Sequence, residues 1–253
     1  MIKVEKSLEK TKPFGGINFV IDDIKGKGIA ELIDSQLDSR SAQAEYKYSD
    51  VFLALWSIFF CGGDAAEDIE THLRNQLLEV PDMKVMFADT ILRVLKELKT
   101  EKVIHKNNDV IHEYNDNPEL NKLNIKIQKK LRFLREDCLY DLDFDHQFIP
   151  TEKYDSKKSY KKSDGYFPGN ASINDLIIYI ENRNGNSNVK YLQHETLEKV
   201  FSALSEENIR IYRTCADAGS YSKAIVDMVE KIVSSFISVH KKVMQCGKRY
   251  NLL

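Results

Sequence analysis

Apolar residues recur at helical spacing through the first half of the chain. Phe52, Leu55, Ile58 and Phe59 share one face, which predicts a helix capped by Ser49. Cys61-Gly62-Gly63-Asp64 breaks it, and Asp64 is placed to cap a second helix through Ile69, Leu73 and Leu77 that ends at Pro81. Asp89 caps a third, Thr90 to Leu98, with Arg93, Lys96 and Lys99 on its outer side. The polar stretch from His105 to Asn117 reads as a connection. Pro118 then opens a helix striped by Leu120, Leu123, Ile127, Leu131 and Leu134. Its other faces carry Lys122, Lys126, Lys129, Lys130, Arg132 and Arg135, either a solvated surface or one that contacts phosphates.

From Cys138 the period changes to two. Cys138, Tyr140, Leu142 and Phe144 face one side of a strand, and Leu139, Asp141, Asp143 and Asp145 the other. A second strand is expected around Tyr166-Phe167 and Ala171-Ser172-Ile173. Asn174-Asp175 turns into a third, Leu176 to Ile180. A helix through Leu197, Val200, Phe201 and Leu204 leads to a fourth strand from Ile209 that ends at Asp217. Gly219 turns into a helix capped by Ser220 or Ser222, and Phe236 to Val239 forms a fifth strand. Three consecutive strands followed by two helix–strand units give a mixed sheet with flanking helices, the topology of the ribonuclease-H-like fold. The expected organisation is α/β: a helical region over 1–136, then an incomplete ribonuclease-H-like domain over 137–253.

Composition narrows the class. Of 253 residues 42% are hydrophobic, enough for a buried core, so wholesale disorder is excluded. The net charge of −2 excludes a uniformly basic protein but not local patches. Cys61, Cys138, Cys215 and Cys246 are far apart and form no CxxC pair, which argues against a zinc site or a disulfide frame. No apolar run reaches the length of about 20 residues that a membrane span needs, and the start lacks a signal peptide, so a cytoplasmic protein is expected. The six histidines have no ligand spacing, and no phosphate-binding glycine loop or nucleophile elbow occurs.

The candidate chemistry lies in the carboxylates. Asp141, Asp143 and Asp145 share a strand face, and Asp217 ends a strand that this topology places parallel and adjacent. Carboxylates converging from neighbouring strands suit Mg²⁺, a hard ion usually held by one or two carboxylates with phosphate and water. Such ions activate water or a 3′-hydroxyl in phosphodiester cleavage. The loop with Lys153, Lys157, Lys158, Lys161 and Lys162, interleaved with Tyr154 and Tyr160, is either a DNA-backbone contact or a charged solvated hairpin. Arg93, Lys96 and Lys99 are placed to contact DNA in the manner of a helix-turn-helix element. His146, just after the acidic strand, is read as a surface or strand-end residue rather than a ligand.

Asp141-Leu142-Asp143-Phe144-Asp145, Lys153-Tyr154, Tyr160-Lys161, Gly165-Tyr166-Phe167-Pro168-Gly169, Glu181-Asn182-Arg183-Asn184-Gly185-Asn186 and Asp217-Ala218-Gly219-Ser220 resemble the DDE transposases of bacterial insertion sequences, closest to the thirteen-eighty group of the four-like superfamily. Ser49-Asp50, Gly62-Gly63-Asp64, Glu67-Asp68 and Asp89-Thr90-Ile91-Leu92-Arg93 resemble that group's helical lead-in, and the likeness runs from about Gly28 to Val239. The resemblance implies that Asp143 and Asp217 are catalytic and hold Mg²⁺, with Mn²⁺ as a substitute. Asp143 is preferred to Asp141 because the family commonly has Asp-x-Thr where this chain has Asp143-Phe144-Asp145; Asp141 remains the alternative ligand. It further implies double-stranded DNA at transposon ends and targets as partner, no membrane, a nucleoid-associated protein and self-assembly. The family's third acidic residue, a glutamate after the fifth strand, has no counterpart in the tail Lys242 to Tyr250. A truncated, inactive copy is therefore expected, with a non-catalytic DNA-binding remnant that interferes with full-length transposase as the alternative.

Overall fold

The computed structural model describes residues 14–107, 110–188, 190–217, 222–233 and 235–239. The chain divides into two compact units, Met1–Lys99 and Thr100–Leu253. The first contains α1 (Ile17–Gly26), α2 (Ile29–Gln36), α3 (Tyr48–Phe60), a π-helical turn (Ile69–Leu73) that runs into α4 (Arg74–Leu77), and α5 (Ala88–Glu97). Ile21, Val51, Ile58, Ile69 and Ile91 sit in its core. No helix among the described residues is long and apolar enough to cross a membrane.

The helices stand where the apolar spacing puts them, but other residues start them. In α3 it is the Asp50 carboxylate that accepts the Lys47 N–H, at 2.8 Å, while Ser49 is buried and bonds Asp34 through both its N–H and its hydroxyl. Asp64 donates rather than caps: its N–H and that of Ala65 both reach Asp68 Oδ2, at 2.8 and 3.0 Å. These two backbone bonds hold the Asp68 carboxyl below its ordinary range. The first N–H of α5, from Ala88, goes to Glu70 Oε1 at 2.8 Å instead of to Asp89.

The second unit contains β1 (Val103–Asn107), β2 (Val110–Asp116), α6 (Pro118–Lys130), β3 (Leu139–His146), β4 (Ile149–Pro150), β5 (Lys157–Lys158), β6 (Asp164–Tyr166), β7 (Gly169–Ile173), β8 (Leu176–Arg183), α7 (Gln193–Glu206), β9 (Arg210–Asp217), α8 (Lys223–Ile232) and β10 (Ser235–Val239). Seven strands form one sheet in the order β1-β2-β8-β7-β3-β9-β10. The meander β3–β7–β8 is antiparallel, and β9 and then β10 add parallel beside β3. That order and polarity make the unit ribonuclease-H-like. Asn174 and Asp175 turn β7 into β8 with φ of 50° and 65°, the doubly left-handed geometry that tight hairpins require. Tyr140, Leu142 and Phe144 meet Leu197, Val200 and Val229 of α7 and α8 in the core. Ser222 caps α8 by accepting the Ile225 N–H.

The segment read as a connection is a hairpin. Val103 lies opposite Tyr114 and Asn107 opposite Val110, and β2 continues the sheet by pairing Tyr114 with Arg183. The sheet unit accordingly begins at Thr100, not at 137, and takes in α6 as well. Helix α6 covers the stretch of the β8 edge that β2, which pairs only Glu181 to Arg183, leaves open. Asn121 accepts the Ile180 N–H and donates to the Ile180 carbonyl, each at 2.9 Å. Asn124 and Gln128 both donate to the Ile177 carbonyl, at 2.7 and 2.8 Å. Replacing Asn121 by Leu strands a buried donor and acceptor on β8. The expected loss is about 2 kcal/mol of unfolding free energy, read from urea denaturation; an unchanged midpoint would show that water replaces the amide.

Candidate functional site

Strand β3 alternates as expected: Tyr140, Leu142 and Phe144 are buried towards the helices, while Asp143 and Asp145 are exposed on the opposite face and Asp141 is half-exposed. The register sets their neighbours. Asp143 lies opposite Ser172 of β7 and Cys215 of β9, and Asp145 lies opposite Asn170. Asp217 follows two positions after Cys215, at the end of β9 and opposite Val239 of β10. Its backbone therefore ends beside the acidic end of β3. The Asp217 side chain, Gly219, Ser220 and the tail beyond Val239 lie outside the described residues.

The three strand aspartates differ. Asp141 forms an ion pair with Arg213 across the parallel pairing, and this partner raises the guanidinium pKa. Asp145 Oδ1 accepts the neighbouring His146 N–H at 2.7 Å. Asp143 adjoins Cys215, whose thiol is pushed up by burial and then by the Asp143 charge, so the sulfur stays protonated. The free donors at this end are thus hard carboxylate oxygens, which suit Mg²⁺ or Mn²⁺ and not a soft metal. Among the described residues no three His, Cys, Asp or Glu side chains form a metal-binding cluster.

A second group of charges went unread in the sequence. Glu181 and Arg183, both fully buried, form an ion pair at the end of β8. Thr196 of α7 donates to the other Glu181 oxygen, and Tyr114 of β2 bonds Thr196 at 3.2 Å. Arg183 also donates to the Tyr191 and Asn188 carbonyls. His146 ends β3, and its side chain is buried, 4% exposed, rather than at the surface: its Nε2 lies 3.5 Å from Glu181 Oε1, and its ring stacks on Phe167 at 5.5 Å. Burial drives the Glu181 pKa up, but His146, Arg183 and Thr196 outweigh it and leave the carboxyl below its usual range. Gly169 is required here, because a Cβ would come within 2.6 Å of Glu181 Oε1. The signal was present: two opposite charges two residues apart share a strand face, and this strand begins as an apolar run.

Between β3 and β7 a three-stranded ribbon, β4-β6-β5, projects from the sheet. It carries Lys153, Lys157, Lys158, Lys161 and Lys162, all exposed. Its base is fixed. Gly185 donates to the Gly165 carbonyl at 2.9 Å, and a Cβ on Gly185 would meet the Lys157 carbonyl at 2.5 Å. Lys102 bridges Glu113 of β2 and Asp155 of the ribbon, at 2.6 and 3.4 Å. Tyr166 donates to Asp155; burial, followed by that carboxylate, raises its hydroxyl to about 12. Arg93 and Lys96 are exposed on α5, in the helical unit. The basic face of α6 is paired: Lys122 reaches Glu206 at 2.9 Å, Lys126 reaches Glu207 at 4.0 Å, and Lys129 reaches Glu136 and Glu207 at 2.8 and 3.2 Å.

Replacing Arg183 by Met leaves a buried carboxylate without its main partner and is expected to cost about 3–5 kcal/mol at neutral pH. Because the folded Glu181 pKa is depressed, its contribution is complete above the unfolded carboxyl value, about 4.3, and is lost as pH falls through the lower folded value. The melting-temperature gap between wild type and Glu181→Gln should therefore be widest near neutrality and narrow in acid. A gap independent of pH would overturn that account.

No family model matches the chain, and no curated protein matches it. Among solved structures, the Mos1 transposase paired-end complex with left transposon end aligns with 79% of this chain at 14% identity and a TM-score of 0.29. This chain covers 61% of that one. The strand order and polarity of the sheet carry the fold assignment.

Proposed function

We propose that this chain is a DDE-class DNA transposase, which hydrolyses phosphodiester bonds at the ends of an insertion sequence and directs the freed 3′-hydroxyl to attack a target phosphodiester, forming a new P–O bond as the target's 3′-oxygen leaves. The observation that carries the reading is the parallel β3–β9 register, which ends the strands that contain Asp143 and Asp217 side by side. The motifs from Asp141 to Ser220 support the same class.

In this reading Asp143 and Asp217 hold Mg²⁺. When bound, the ion lowers the pKa of an attacking water or 3′-hydroxyl and offsets charge on the phosphate. The ion pair of Asp141 with Arg213 supports Asp143 as the principal ligand on β3, with Asp141 as the alternative. Cys215, kept as a thiol, offers no competing anion beside it. The ribbon lysines neutralise backbone phosphates near the acidic end of β3, and Arg93 and Lys96 supply phosphate contacts from the helical unit.

The test is Mg²⁺-dependent nicking of a DNA duplex that carries the insertion-sequence ends. Asp143→Asn and Asp217→Asn are each expected to lower nicking by about a hundredfold or more, while salt-dependent binding to the duplex persists. Duplex binding with no metal-dependent nicking by the unaltered chain would overturn the catalytic reading and leave the non-catalytic DNA-binding protein expected from the missing third acidic residue; nicking would overturn that expectation instead. Lys157→Ala combined with Lys158→Ala should weaken binding and flatten its salt dependence, whereas Lys126→Ala, whose charge Glu207 already meets, should change neither.

A further inference from the structure

Resting on the reading of this chain as a DNA-processing protein, we infer that Tyr160 at the tip of the ribbon is a stacking platform for an unpaired base, so that the ribbon engages single-stranded DNA. Two tyrosines interrupt its lysines, and they differ in how they are held. Tyr154 is 100% exposed. Tyr160 is 75% exposed yet anchored: its edge meets Phe167, with ring centroids 6.0 Å apart and planes at 81°. Phe167 is buried and stacks on His146, the residue that ends the acidic strand. A continuous row of rings thus fixes Tyr160 relative to Asp143 and Asp145 while leaving most of its surface open.

The backbone beneath it is equally constrained. Ser159 is buried, and its N–H donates to the Ser163 carbonyl at 2.9 Å. The Ser159 carbonyl accepts the Lys162 N–H and its hydroxyl accepts the Lys161 N–H, both at 3.0 Å. Lys162 takes a left-handed φ of 64° to close the turn. Exposed aromatic side chains without a partner are normally left mobile; this one sits on a rigid turn. Lys161 Nζ lies 5.9 Å from the Tyr160 ring centroid and 5.5 Å from that of Phe148, which places a cation beside the stacking surface. Lys157, Lys158 and Lys162 add positive charge along the same ribbon.

An aromatic face flanked by ammonium groups matches the alternation of base and phosphate in an unpaired strand. In a duplex the base faces are already stacked on one another, so the ring has nothing to cover and only the lysines engage. The two substrates therefore separate the ring from the charges.

The experiment measures fluorescence anisotropy of labelled oligothymidylate of about 15 nucleotides, and of a labelled duplex, with the full chain in metal-free buffer. Tyr160→Ala should weaken oligothymidylate binding about tenfold and duplex binding by less than about twofold, with Tyr160→Trp restoring the single-strand affinity. Lys161→Ala should weaken both. Unchanged single-strand affinity in Tyr160→Ala, equal losses on both substrates, or failure of Tyr160→Trp to restore binding overturns the inference. Because no metal is present, the outcome is independent of nicking: loss of catalysis with intact stacking refutes only the proposed reaction, and the converse refutes only the platform.

Discussion

Glu181 and Arg183 tie several elements of the sheet unit to one corner, because the two side chains bond each other and between them reach α7, β3 and the segment before α7. Glu181 engages Thr196 on α7 and lies beside His146 on β3. Arg183 reaches the Asn188 and Tyr191 carbonyls before α7, and its own carbonyl accepts the Phe167 N–H, at 2.8 Å, where the ribbon rejoins the sheet. Taking two charges out of water costs several kcal/mol per ion, and apolar packing of the same volume would serve stability as well. What the pair provides is direction: a charged network is satisfied in one arrangement only, so the end of β3, the start of β7, the end of β8 and the ribbon base share one geometry.

That fixed corner explains why the two faces of the sheet diverge so sharply. One face is filled by α7 and α8 against Tyr140, Leu142 and Phe144. The other presents Asp141, Asp143 and Asp145. Charge along such a strand is met locally, by Arg213 at Asp141, by the Cys215 thiol beside Asp143 and by a backbone N–H at Asp145.

The sheet order was legible because alternating burial leaves a period-two trace and because Asn174-Asp175 is a strong hairpin signal. The helix starts were not: Asp50, Asp68 and Glu70 cap from within or from afar, and adjacency in sequence points to Ser49, Asp64 and Asp89 instead. The hairpin at 103–116 was hidden by its own exposure. Val103, Ile104 and Ile111 face solvent, and among the described side chains of the hairpin Tyr114 alone is buried, so burial leaves no alternation to read. The α6 lysines were open to two readings, a solvated surface or a phosphate contact, because sequence shows the cations but not Glu206 and Glu207, which meet Lys122, Lys126 and Lys129. His146 was legible as a strand end but its partner was not, since a lone histidine after an acidic strand carries no trace of the buried carboxylate that tertiary structure sets beside it.

Asn121 bonds both the N–H and the carbonyl of one β8 residue and so imitates, with a single amide, the pairing of an adjacent strand. An unoccupied strand rim is an invitation to other molecules, and rims of this kind are where soluble proteins begin to join into fibres. A helix that presents side-chain amides to the rim closes it while keeping its own backbone fully bonded. The middle of β8 is thereby withdrawn from intermolecular strand exchange at synthesis, when the local concentration of identical chains is highest.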